Sequence, residues 1–115
     1  MYRTDESKVI GKTIKSYSIS PNGIELYVVT DDGLLTFYTD ADCCSESWIE
    51  HISAPKLPAK ILSIEDKELP DPPPSGRQEV DKAYSTIFKT DMGDFEVEFR
   101  NSSNGYYGGS LELRK

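Results

Sequence analysis

The chain has little of what most catalytic and covalently stapled proteins need. It contains only two cysteines, and they are adjacent, Cys43 and Cys44. Neighbouring residues rarely reach the geometry of a relaxed disulfide, so no bridged framework is expected, and a reducing, cytoplasmic setting follows. A single histidine, His51, joins them. That is too small a set of nitrogen and sulfur ligands for a tetrahedral zinc site, and no CxxC pair exists. Basic residues are the minority, 13 against 20 acidic ones for a net charge of -7. Binding to the backbone of duplex nucleic acid needs a basic footprint, so that partner is not expected. No apolar run approaches the roughly 18 residues of a spanning helix and no signal peptide opens the chain, so no membrane partner is expected either. The length suits a single domain, residues 1–115, with one core.

What is present is a succession of short apolar alternations separated by turn residues. Residues 1–8 are polar and read as a frayed terminus. Ile14, Tyr17 and Ile19 belong to a first strand, and Pro21, Asn22 and Gly23 turn the chain. Ile24, Leu26 and Val28 then alternate onto one buried face. Asp31, Asp32 and Gly33 make a second tight turn into a strand through Phe37, which completes an antiparallel meander. Further on, Trp48, Ile49 and Ile52 stand at helical spacing, with Ser45 or Ser47 as N-cap and Glu50 completing a capping box. This predicts a short helix that covers the sheet, anchored by Trp48. Together the pattern predicts an α+β fold, mainly antiparallel β, with about seven short strands and one short helix.

The second half echoes the first. Ile61 and Ser63 repeat Ile14 and Ser16, and Thr90, Asp91, Met92 and Gly93 repeat Thr30, Asp31, Asp32 and Gly33. Two pseudo-repeated three-strand halves would account for this. A proline-rich insertion, residues 70–79, accounts for the difference in spacing and reads as a surface loop.

The most distinctive stretch follows a strand carrying Phe95, Val97 and Phe99. Arg100, Asn101, Ser102, Ser103, Asn104, Gly105, Tyr106, Tyr107, Gly108 and Gly109 include no aliphatic side chain. Such a segment is expected to lie outside the core. Its glycines permit close backbone approach, its amides and hydroxyls both donate and accept, and its phenols offer stacking area. A polar small molecule suits it. Asn104-Gly105 between two strands is equally a strong hairpin signal, and a turn and a binding loop can coincide.

Catalysis is not indicated. A thiolate at a helix start with His51 as base would place the two about 10 Å apart along a helix, and no third group is marked by spacing. Cys43 and Cys44 read as small packing thiols, and Glu96 with Glu98 as a solvated strand face. Neither a cofactor nor a metal is called for.

Two segments together carry a family resemblance: Asp42, Cys43, Cys44, Ser45, Glu46, Ser47 and Trp48, and the polar stretch from Arg100 to Gly109. They resemble signature segments of a family of small phage and prophage proteins catalogued as a domain of unknown function, a group that includes the type-one Thoeris anti-defence proteins. The resemblance implies a non-enzymatic sponge. Such a protein binds a cyclic ADP-ribose isomer or a cyclic oligonucleotide, forms a homodimer or higher homo-oligomer, and works in the cytoplasm of an infected or lysogenic bacterial host. It also implies roles: Phe99 or Tyr107 stacking on adenine, Arg100 on phosphate, and Asn101 or Asn104 on polar edges of the ligand. Ser102, Ser103, Gly105 and Tyr106 would complete the primary site, with Asp42, Cys43, Cys44, Ser45, Ser47 and Trp48 as secondary candidates. An alternative from another class is a phage-encoded interaction module that docks a host protein through the same Tyr/Gly/Asn loop.

Overall fold

The computed structural model describes residues 6–41, 45–73, 75–77, 80–103 and 109–114. After a 3-10 turn at Glu6–Lys8 come eight strands: β1 (Thr13–Ile19), β2 (Glu25–Thr30), β3 (Gly33–Ala41), β4 (Glu46–Ser53), β5 (Ala59–Leu69), β6 (Val80–Thr90), β7 (Gly93–Ser103) and β8 (Gly109–Leu113). All neighbouring strands are antiparallel, and their order is β4-β7-β6-β5-β1-β2-β3-β8. The described fold is therefore all-β with eight strands, not α+β with seven and a helix.

The expected helix is strand β4, and a bulge explains the misleading spacing. The β4/β7 register shifts between Ile49 and His51, so Ile49 faces Phe99 and Ile52 faces Val97. One extra residue in a strand puts two residues three apart on one face, which imitates a helical period. The same device occurs twice more, between Ile14 and Ser16 in β1 and between Ile61 and Ser63 in β5. Leu62 is 53% exposed, on the face opposite the buried Ala59 and Ile61.

The two halves use the same local chemistry. Thr30 Oγ1 donates to the Gly33 carbonyl and accepts from the Asp32 N–H. Thr90 Oγ1 does the same with Gly93 and Met92. Asp31 Oδ1 accepts from the Thr13 N–H, and Asp91 Oδ1 from the Lys60 N–H. Gly33 and Gly93 sit at φ of 106° and 120°, where a Cβ would be strained. Each meander, β1-β2-β3 or β5-β6-β7, then receives its fourth strand from the other half of the chain: β4 pairs with β7 and β8 with β3.

Two four-stranded layers result, and their inner faces meet through aromatic rings. Phe37 of β3 lies 5.4 Å from Phe88 of β6, and Phe88 lies 5.9 Å from Phe95. Leu26, Val28, Ile61, Val97 and Phe99 fill the same core, with Ile49 and Leu111 contributed by the exchanged strands. Ile24, expected on the buried face of β2, precedes the strand and is 37% exposed.

Because the Thr30 side chain makes two turn bonds while the residue is 5% exposed, Thr30→Val should cost about 0.5–1.5 kcal/mol by removing them. Urea unfolding checks this, with the midpoint lowered and the slope unchanged.

Candidate functional site

Strand exchange brings the two distinctive sequence segments side by side. Across the β4/β7 ladder, Glu46 faces Ser102, Ser47 faces Asn101 and Trp48 faces Arg100. On the other side of β7, Asp81 of β6 faces Ser102 and Ala83 faces Arg100. Residues directly opposite share a face of the sheet, so the corner has two chemically different sides.

The inner side belongs to the core. Phe99 is 3% exposed and stacks on Tyr84 with ring centroids 5.4 Å apart. Its ring is thus occupied and is not presented to a base. Asn101 is fully buried and donates from Nδ2 to Ser47 Oγ at 2.9 Å. Arg100, Asn101, Ser102 and Ser103 are the last four residues of β7, not a surface loop, and the last three have no exposed area. The expectation that the whole stretch stays out of the core is corrected by this strand. A run without aliphatic side chains can still be strand when its polar groups find partners across the ladder.

The outer side collects charge around an aromatic ring. Arg100 is partly buried, with 22% of its side chain exposed, and pairs through Nη2 with Glu98 at 3.2 Å. Trp48, half-buried, donates from Nε1 to Glu50 at 3.0 Å. It faces outward and does not anchor the core as expected. Arg77, from the proline-rich segment, lies over the Trp48 ring at 4.1 Å and bonds Glu46 at 3.2 Å. Cation–π contact and ion pair together pin that segment to β4. Asp81, 4% exposed, accepts the Ser75 N–H at 2.8 Å. Burial pushes its carboxyl upward, but the Ser102 hydroxyl, the Ser75 bonds and the Arg100 charge together hold it below the ordinary value of 3.8.

Three outer polar atoms lack a well-formed hydrogen bond although fully buried, Asp81 Oδ1, Arg100 Nε and Ser102 Oγ, the Ser102 hydroxyl lying near the Asp81 carboxylate without good bond geometry. Asn101 Oδ1 is the same on the inner side. Leaving such a group unpaired costs about 1–3 kcal/mol, and more for charged groups. All four lie at one corner, on neighbouring positions of β6 and β7.

The remaining sequence expectations divide by position. Asn104, Gly105, Tyr106 and Tyr107 lie outside the described residues, as do Asp42, Cys43 and Cys44. Ser45 just precedes β4. His51 is exposed on β4 opposite Glu98, so the helix expected to carry it is a strand. Among the described residues, no cluster of three or more His, Cys, Asp or Glu side chains could hold a metal ion, and no helix is long and apolar enough to cross a membrane. Asp81 was not marked by sequence reasoning, whereas Arg77 stands out there only as a possible source of local positive charge for an anionic ligand. The only available hint was that Asp81 interrupts the start of an otherwise regular strand. A separate groove of about 470 Å³ on the other layer is lined by Lys8, Lys12, Leu34, Leu35, Leu113 and Arg114. Its cations Lys12 and Arg114 are already paired with Asp32 and Glu25.

These features define an all-β domain with a polar, aromatic-flanked corner. The chain belongs to the family described as a domain of unknown function, DUF7448, whose model matches residues 7–113. It is similar to the uncharacterized protein L278 of Acanthamoeba polyphaga mimivirus, at 36% identity over 101 residues, which covers 82% of this chain and 79% of that protein. No solved structure matches the chain.

Asp81→Ala should cost about 1–3 kcal/mol near neutral pH by unpairing the Ser75 N–H and removing the carboxylate beside Arg100. A depressed folded-state pKa stabilises fully above the unfolded value and loses its effect as pH falls through the folded one. The gap between parent and variant should therefore be full above about pH 5 and shrink below the ordinary value of 3.8. Urea titrations at several pH values check both statements.

Proposed function

We propose that the protein binds and sequesters a cyclic nucleotide signal, a cyclic ADP-ribose isomer or a cyclic oligonucleotide, without turning it over. The observation that carries this reading is the outer side of the corner. There an aromatic ring and a guanidinium face each other across one ladder, Trp48 against Arg100. A second guanidinium, Arg77, stands over the ring. Asp81 Oδ1 and Ser102 Oγ, buried and without a well-formed hydrogen bond, lie alongside.

The chemistry of such a ligand matches these groups one by one. A purine stacks on an indole, with about 1–3 kcal/mol at stake per base. Phosphates pair with guanidinium groups by charge-assisted hydrogen bonds. A carboxylate accepts from ribose hydroxyls or an exocyclic amine, and a serine hydroxyl complements either. In this assignment Trp48 takes the stacking role that the resemblance gave to Phe99, once Arg77 leaves its ring to join Arg100 on phosphate. Since Ser102 is fully buried, a ligand reaches it only after the corner opens, so association is expected to be slow. Sequestration tolerates that, because its effect depends on how long the ligand is held. The role of a type-one Thoeris anti-defence protein would follow.

Calorimetry with a panel of cyclic ADP-ribose isomers and cyclic dinucleotides tests this. At least one should give heat, quench the single tryptophan and be recovered intact after the complex is denatured. Trp48→Leu should weaken that binding by about ten- to a hundredfold, and Arg77→Gln should also weaken it. No heat from any of them, or recovery of a cleaved ligand, contradicts the proposal.

A further inference from the structure

The seam between the two halves is a second feature, independent of the corner. β1 has seven residues and β5 eleven, yet only two pairs join them, Thr13 with Lys60 and Ile14 with Ala59. Beyond those pairs the bulges after Ile14 and Ile61 turn the strands apart. Among the described residues, 16–19 then pair with β2 alone and 63–69 with β6 alone. Each strand therefore presents a row of backbone donors and acceptors along one edge.

The side chains at this seam are not those of a finished surface. Tyr17 and Ile19 stand opposite Val28 and Leu26, which are 2% and 0% exposed, so they belong to the inner face, yet they are 37% and 41% exposed themselves. Tyr17 reaches the core and meets Phe95 edge-on at 5.1 Å. Across the seam, Ile64, Asp66 and Glu68 of β5 stand opposite Phe88, Thr86 and Tyr84 and share that inner face. One wall is thus apolar and aromatic, while the other carries two carboxylates beside an isoleucine.

We infer that this seam receives an extended, basic peptide segment of a partner protein by strand addition. Backbone hydrogen bonds to the β1 or β5 edge would supply affinity. Alternate side chains would supply specificity, since successive residues of a strand point to opposite faces. Inward apolar residues would cover Tyr17 and Ile19, and inward Lys or Arg would meet Asp66 and Glu68. The net charge of -7 also favours encounter with a basic segment over an acidic one.

The test uses the full chain and three labelled peptides of about ten residues, roughly two strand lengths. One alternates valine and lysine, one has the same charge with two central valines replaced by proline, and one carries glutamate for lysine. Fluorescence anisotropy should show binding of the first, with the second and third each weaker by about tenfold or more. Amide hydrogen exchange should slow within residues 16–19 or 63–69 when the first peptide binds. A doubly substituted chain, Ile19→Lys with Glu68→Lys, changes two exposed side chains and should lower affinity by about tenfold. No binding of the first peptide, equal binding of the proline peptide, or slowed exchange only elsewhere would overturn the inference. So would a concentration-dependent dimer, seen by sedimentation without peptide, that protects the same amides.

Discussion

An antiparallel meander leaves an edge strand whose backbone must be paired, and the pairing of β7 with β4 is the constraint from which the rest of this molecule follows. β7 runs eleven residues, and β4 closes its free side with seven residue pairs after crossing from the other half of the chain. That crossing sets Trp48 against Arg100 and Ser47 against Asn101. It also lets a stretch with no aliphatic side chains end a core strand, because Asn101 finds the Ser47 hydroxyl at 2.9 Å. The same exchange on the other side pairs β8 with β3, so neither half completes its layer alone.

The corner and the seam illustrate how an acidic chain can hold locally distinct chemistry. Arg100 lies beside Glu98 and Asp81, and Arg77 beside Glu46. These guanidinium groups are held in position by carboxylates, which lowers the entropy lost when they engage another group. At the seam the acidic residues of β5 instead guard an edge that would otherwise pair indiscriminately, a common role for charge on exposed strands. A protein of one net sign thus holds two guanidinium groups beside an aromatic ring at one place and a strand edge bearing carboxylates at another.

Much of the strand pattern was legible in the sequence because period-two alternation, broken at intervals by glycine-containing turns, is a pattern that few structures besides a strand meander produce. The TDxG turns at Thr30 and Thr90 could be seen as echoes, and their hydrogen bonds are equivalent. β4 was not legible as a strand, since the extra residue between Ile49 and His51 shifts the apolar positions into a helical spacing. The polar end of β7 was misread for a different reason. Composition reports what a segment carries and not what stands opposite it, and the partner Ser47 comes from a strand remote in the chain, while Asp81 stands at the far end of the β6/β7 hairpin. Trp48 was read as a core anchor from its type and its apparent helical spacing, whereas its position opposite Arg100 sets it on the outer face. The family resemblance drew attention to the two segments that the β4/β7 ladder makes neighbours, but the stacking residue it suggested, Phe99, lies against Tyr84.

The claim at the centre of this account is that buried polar groups at the β4-β7-β6 corner are completed by a polar guest. A high-resolution crystal structure of the protein soaked with a cyclic ADP-ribose isomer tests it most directly. The account predicts density over the Trp48 ring, with guest atoms within hydrogen-bond reach of Arg100 Nε, Asp81 Oδ1 and Ser102 Oγ. A corner in which ordered water completes these three atoms, and from which the soaked molecule is absent, would contradict it.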